Sequence, residues 1–261
     1  MPCGLLRHLC LVTAHDLGRV ERIGETVHRP VGPWTAAVHG LLRHLEAVGY
    51  DQAPRVLGFD EQGREVLTWI DGESGPDGWA KVIDDRGLIA FAHLLRDYHD
   101  AVAEYRPDES TCWSTTTAGA VGDEVVCHGD FGPWNVVWSG DRPIGIIDWD
   151  HARPAPRRHD VAYALEYVAP FRADTECLRW LRYPEPPDRR RRLEVFAGAY
   201  GLTDIAGLVD AVITVQEQDI DAVRRLAEQG HEPQATWVAE GLLDELRARV
   251  AWSRANRHLI D

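Results

Sequence analysis

The stretch that decides the fold is residues 126–135, "VCHGDFGPWN", together with "IIDWD" at 146–150. Each is an apolar run that ends in side chains bearing a carboxylate, an imidazole or an amide. Short apolar runs bounded by Gly and Pro read as buried strands. His128 and Asp130 then stand at the end of one strand. Asn135 opens a second strand five residues after Asp130, and Asp148 closes a third. "SGDRP", between "NVVW" and "IGIID", is a good hairpin turn. Three strand ends therefore converge and bring Asp130, Asn135 and Asp148 close together.

The residue types suggest the chemistry. A carboxylate and an amide oxygen are hard ligands suited to Mg²⁺. A second carboxylate left free of the ion can accept a proton from an incoming hydroxyl. A metal clamp on phosphates and a group orienting the nucleophile are the parts that phosphoryl transfer requires.

"CHGDFGPWNVVW" and "IGIIDWDHARPAPRRHDVAYAL" resemble the catalytic and metal-binding segments of the aminoglycoside phosphotransferase / choline kinase family, which is protein-kinase-like. The resemblance is specific over 124–165 and looser over about 20–260. It implies an α+β, two-lobed fold: a small N-terminal antiparallel sheet plus a helix, then a larger, mostly helical lobe. It also implies a kinase that moves the γ-phosphate of ATP or GTP to a small-molecule alcohol. Asp130 resembles the family's catalytic base, and His128 the residue that shapes the loop around it. Asn135 and Asp148 match the Mg²⁺ ligands, Asp150 lies beside them, and Asp160 matches an acidic residue anchoring the following helix.

The rest of the chain fits that order. Residues 1–70 read as the small nucleotide-binding lobe: "GRVERIG" and "ETVHRPV" as paired strands, 34–50 as a helix starting near Thr35, and 54–70 as a hairpin turning at "DEQG". "DGESGPDG" at 71–78 reads as a hinge, and 79–261 as the helical lobe with the catalytic loop and metal site. By the resemblance, the backbone of Thr68, Trp69 and Ile70 contacts the adenine. The small lobe departs from the family's pattern. "TVHRPV" has no Lys, and Arg29 is the cation nearest the expected place, although Arg and Lys bind phosphate differently. Val38 or His39 stands near the expected helix Glu, and Glu46 lies too far along. "TAHDLG" at 13–18 is the candidate phosphate loop.

Composition narrows the partners. With 28 Lys+Arg against 42 Asp+Glu, the net charge is −14. That opposes nucleic acid as a partner, because phosphate backbones need a basic face. It suits a cationic small molecule, aminoglycoside-like or amino-alcohol-like. Five scattered cysteines with no CxxC pair give no disulfide framework or zinc site. No run is long enough to span a membrane, and "LLRHLCLV" is a poor signal peptide, so a cytoplasmic location is expected. The arginine run at 189–192 reads as a solvated helix face. Glu217 and Asp221, one turn apart, are candidates for binding ammonium groups. Two alternatives stand beside the kinase. One is a catalytically silent kinase-like binding module, motivated by the missing Lys and Glu. The other is a metal-dependent hydrolase using His128, Asp130, Asp148 and Asp150, with His151 or His159 as a further candidate.

Overall fold

The structure, a computed structural model, describes residues 20–108, 110–114 and 124–260. The expected strand pair opens it. β1 (Glu21–Ile23) and β2 (Thr26–Arg29) run antiparallel and turn at Gly24, whose φ is 62°. Glycine adopts that left-handed conformation without steric cost. The next helix, α1 (Thr35–Ala47), buries Val38, Leu41, Leu42 and Leu45, the positions expected from helical spacing. Thr35 is not its cap. Its hydroxyl instead accepts from the Gly32 amide at 2.9 Å, and Trp34 leads into the helix. β3 (Val56–Phe59) and β4 (Glu65–Thr68) form the second hairpin, turned by Asp60, whose Oδ1 accepts from the Gln62 and Arg64 amides. The four strands form one antiparallel sheet in the order β1-β2-β4-β3. The "TAHDLG" segment lies outside the described residues.

Two backbone ties join this sheet region to the rest. Glu73 and Trp138 exchange a pair of N–H···O bonds, each 2.8 Å, and the Ile146 amide donates to the Gln52 carbonyl at 2.8 Å. A Cβ on Gly72 would lie 2.6 Å from the Trp138 oxygen, so the crossing chain needs glycine there. Residues 75–81 are helical, ending in the short α2 (Gly78–Lys81). α3 (Asp85–Ala101) follows, capped by Asp84, which accepts from the Gly87 amide at 2.8 Å.

The strands around the quoted stretch then appear as expected: β5 (Glu124–Cys127), β6 (Val136–Ser139) and β7 (Arg142–Ile146), with β6 and β7 a hairpin. A further strand, β8 (Arg153–Pro156), pairs with β5. Its prolines at 154 and 156 argue against a strand. They fit because they alternate on a ladder with only one partner, where a missing N–H faces away from the pairing. The remaining helices are α4 (Arg157–Val168), α5 (Asp174–Trp180), α6 (Arg189–Tyr200), α7 (Leu208–Glu228), α8 (Gln234–Ala239) and α9 (Leu242–Ala255). α4 is buried along its whole length from His159 to Val168. It is the central helix and sits directly under the β5–β6 loop.

The arginine run corrects the sequence reading. Arg190 and Arg191 face outward to Glu194 and Asp85. Arg189 and Arg192, each 4% exposed, point inward and cap buried carbonyls. Arg192 donates to Val168 O at 2.6 Å, Ile83 O at 2.5 Å and Val82 O at 2.6 Å. Arg189 donates to Pro170 O at 2.8 Å and Arg172 O at 2.7 Å. The spacing of three puts both on one helical face. Arg192→Met should lower the free energy of unfolding by about 3 kcal/mol, since it strands buried acceptors. Arg190→Ala should change it by less than about 0.5 kcal/mol. Urea denaturation of both variants checks the contrast.

Candidate functional site

The loop after β5 rests on one buried carboxylate. Asp160, fully buried in the first turn of α4, accepts from the His128 amide at 2.7 Å and the Gly129 amide at 2.9 Å. The His99 imidazole donates to the same carboxylate at 3.2 Å. Burial alone would raise its pKa, but the hydrogen bond and charge of His99 outweigh that and hold it below the ordinary carboxylate range. His99, Cys127 and Asp160 bring ligand-type atoms within 4.8 Å of one another. Asp160 is saturated by these bonds, and Cys127 faces the carbonyls of Ala155 and Pro156, so the trio is a brace. Gly129 has φ of 80°, and a Cβ there would lie 2.1 Å from His151 O. Only glycine allows the loop to pass so close to the neighbouring backbone.

This turn presents Asp130. Asn135 Nδ2 donates to Asp130 Oδ2 at 2.8 Å and to the Asp130 carbonyl at 2.9 Å, and the Tyr163 hydroxyl donates to Oδ1. Burial raises the Asp130 pKa above its ordinary value, with nearby Asp148 adding to the effect. His128 is fully buried and does not reach solvent. Its Nε2–H donates to Ile147 O at 3.0 Å, and its Nδ1 accepts from the Asp130 amide at 3.3 Å. It thus pins the Asp130 backbone to the third strand. Burial lowers its pKa, consistent with a neutral ring that both donates and accepts.

Asn135 and Asp148 flank the open end of the β6–β7 hairpin. The Ile147 amide donates to Asn135 O at 2.9 Å, just beyond the Val136–Ile146 pair. With its Nδ2 turned to Asp130, Asn135 has its amide oxygen directed elsewhere. Asp148 adopts left-handed backbone angles, φ 64° and ψ 69°, which turn its carboxylate back out of the strand. Such a conformation in a non-glycine residue costs on the order of 1–2 kcal/mol.

Arg29 sits opposite. Its Nε donates to Glu65 Oε1 at 2.7 Å, its Nη1 lies 3.7 Å from Asp148 Oδ1, and its Nη2 pairs with Asp150. Burial would lower its pKa, but Asp150, Asp148 and Glu65 together push it upward. One guanidinium therefore faces three carboxylates. That surplus of negative charge, with an amide oxygen and carboxylate oxygens beside it, fits a hard divalent cation such as Mg²⁺.

Thr68, Trp69 and Ile70 lie at the end of β4. Thr68 N–H donates to Arg55 O at 3.0 Å and Trp69 N–H to Glu25 O at 2.9 Å, so both amides are used within the sheet. Ile70 packs over Gly145 of β7, where an added Cβ would lie 2.7 Å from its Cδ1. This puts the segment alongside the strand that leads to Asp148.

Several participants were not read from the sequence. Tyr163 escaped because tyrosine on a helix ordinarily reads as packing. Glu65 carries a visible signal: it alternates with Leu67 on the buried face of β4, an unusual place for an unpaired carboxylate. The acidic pair proposed on α7 faces elsewhere, Glu217 meeting Arg254 and Asp221 meeting Arg224. A different α7 carboxylate, Asp219, is pushed well above the carboxylate range by burial and then by Glu166, with Asp130 adding a smaller push. On the same face Gln216 is 3% exposed, and its amide nitrogen and oxygen have no partner among the described residues.

The chain is similar to known proteins in family and in fold. The phosphotransferase enzyme family matches residues 110–195. The trifolitoxin immunity protein of Rhizobium leguminosarum bv. trifolii is 36% identical over 235 residues, covering 87% of this chain and 85% of that protein. The GDP complex of wild-type aminoglycoside 2'-phosphotransferase-IIIa superimposes with a TM-score of 0.59 at 14% identity, over 98% of this chain and 100% of that one. The amicoumacin kinase hAmiN, in complex with AMP-PNP and Ca²⁺, gives a TM-score of 0.57 at 10% identity, over 94% and 93% of the two chains.

His159, beside the brace, provides a pH test of the site's scaffold. Arg153 Nη2 lies 2.5 Å from His159 Nε2, a contact that requires a neutral imidazole. Burial, then Arg153, lowers its pKa to about 4. The unfolded chain takes up this proton near pH 6.5 and the folded chain only near 4, so stability is full above about 6.5 and falls as the pH drops through that interval. The loss should be on the order of 2–3 kcal/mol. Urea midpoints at pH 7 and pH 5 should differ for the native sequence and converge in His159→Gln. Equal slopes in the two proteins would contradict this assignment.

Proposed function

Since the chain belongs to the phosphotransferase enzyme family, we propose that it transfers the γ-phosphate of ATP or GTP to a hydroxyl of a small molecule. The observation that carries this reading is the meeting of Asp130, Asn135 and Asp148, opposite Arg29, at one cleft. Asp130 is the group that accepts the hydroxyl proton. The Tyr163 O–H and the Asn135 N–H each take one of its oxygens and fix its plane, and each oxygen keeps acceptor capacity. His128 holds that loop in place from below.

The Asn135 amide oxygen and Asp148 would hold Mg²⁺, which when bound neutralises charge on the donor's phosphates. Arg29 presents two N–H edges toward the same space and is the phosphate-binding cation, a role its planar fork suits. With Glu65 as its carboxylate partner, this assignment answers the motive for the silent-module alternative, which rested on the missing Lys and Glu. Among Thr68, Trp69 and Ile70, the Ile70 amide is the backbone donor left for the base, because the other two are engaged in the sheet.

The acceptor belongs on the far side of Asp130, against the face of α7 bearing Gln216 and Asp219. The unpartnered buried amide atoms of Gln216 on that face of α7 support a polar, hydroxylated acceptor. The relative's name, an immunity protein, supports an acceptor that is itself toxic to bacteria, and the solved relatives' aminoglycoside and amicoumacin ligands point the same way. Among the described residues no helix is long and apolar enough to cross a membrane.

Turnover of Mg-ATP and Mg-GTP against a panel of amino sugars, aminoglycosides and amino alcohols tests the reading. Asp130→Asn should reduce kcat by about 10²–10⁴-fold, with nucleotide Kd within about twofold of the native value. Gln216→Leu should raise the acceptor KM while leaving the nucleotide KM unchanged. Phosphate transfer by Asp130→Asn at the native rate would rule the assignment out.

A further inference from the structure

The cation of this site is held in an unusual way. In the resemblance that led here, a strand Lys pairs with a Glu from the helix. Here Arg29 and Glu65 are directly opposed across β2 and β4, so the carboxylate comes from the adjacent strand. α1 supplies His39 in its place, whose Nε2–H donates to Glu65 Oε2 at 2.9 Å. Glu65 and His39 are 2% and 3% exposed, and the His39 ring lies 5.3 Å from Phe59. Both Glu65 oxygens are thus engaged, one by Arg29 Nε and one by His39. The Arg29 side chain is clamped at Nε and free to aim only its Nη1–Nη2 end. In the structure that end faces Asp148 and Asp150.

We propose that Arg29, clamped by Glu65 and His39, is a built-in counter-ion that closes the metal carboxylates until nucleotide phosphates draw it away, so that donor and divalent cation bind as a linked pair. The inference rests on the phosphotransferase reading. It adds two positioning residues, Glu65 and His39, and a regulatory consequence. A guanidinium 3.7 Å from Asp148 opposes a second cation at that carboxylate. Nucleotide phosphates offer the guanidinium a stronger, bidentate partner. Shifting Arg29 to them relieves Asp148 of that opposing charge. Removing the charge must then have opposite effects on the two ligands. Binding of the cation alone tightens, while binding of nucleotide weakens, as linkage requires when a single group opposes one ligand and serves the other. A purely structural arginine would weaken both.

The test uses the full chain, with Mn²⁺ alone followed through the electron paramagnetic resonance signal of the free ion, and nucleotide alone by calorimetry. Arg29→Met should bind Mn²⁺ about tenfold tighter than the native protein and nucleotide about tenfold weaker, within the usual range for coupled sites. Arg29→Lys keeps the charge and should keep Mn²⁺ binding at the native level. Glu65→Gln keeps the shape but releases the Nε clamp. It should weaken nucleotide binding about fivefold or more without tightening Mn²⁺, and its thermal midpoint will show that it folds. Unchanged or weaker Mn²⁺ binding in Arg29→Met overturns the counter-ion role while leaving the phosphotransferase reading intact. Absence of Mn²⁺ binding by every form, with or without nucleotide, removes the metal site and both readings with it.

Discussion

The site depends on the Asp160 carboxylate beneath the loop. Two consecutive amides, from His128 and Gly129, converge on it, and His99 closes the third direction. A carboxylate in that place is stabilised by these donors and by its position in the first turn of α4. It gives the loop a rigid floor without using any of the side chains that must face the cleft. One turn later on the same helix, Tyr163 reaches up to Asp130. A single buried helix therefore sets both the backbone of the loop and the orientation of Asp130. Its burial on all sides, with little amphipathic pattern, follows from that double duty.

From that floor the geometry propagates through short links. His128 joins the loop to Ile147, Asn135 joins Asp130 to the next strand, and the Ile147 amide returns to Asn135. The three polar residues meet because the hairpin register forces them to, and no flexible segment intervenes. The αL conformation of Asp148 is the one strained element in this set. Strain at such a place persists because the surrounding bonds over-determine it. It turns a side chain that would otherwise continue the strand's alternation toward Arg29.

The legibility of each part in the sequence follows its contact range. Asp130, Asn135 and Asp148 were readable because they lie within one strand–loop–hairpin unit, where spacing alone fixes proximity. The α+β, two-lobed architecture was readable for the same reason: its hairpins and helices carry local signals. Glu65 was not, because its meeting with Arg29 depends on the register of β2 against β4, which side-chain alternation hints at but does not set. β8 was hidden by its prolines. Arg189 and Arg192 look like a solvated run when counted by composition, and like a pair of internal braces when counted by helical period. The second count was available and is the more physical one, since charge density says nothing about which face a residue occupies.

An Arg at this place on β2 differs from a Lys in more than the identity of the cation. A lysine ammonium is one point of charge, and when it meets a helix Glu both partners move with the helix. Arg29 divides its contacts: Nε is fixed within the sheet by Glu65, and the outer nitrogens face the cleft. The position of the charge is then set by the β2–β4 ladder and is insulated from small shifts of α1. Movement of α1 would be felt only through His39, one hydrogen bond removed. A site built this way keeps its cation in register with the carboxylates across the cleft whatever the helix does. What it gives up is the helix as a control lever, so any control over the donor site must act through the cleft itself, where Arg29, Asp148 and Asp150 already share their charges.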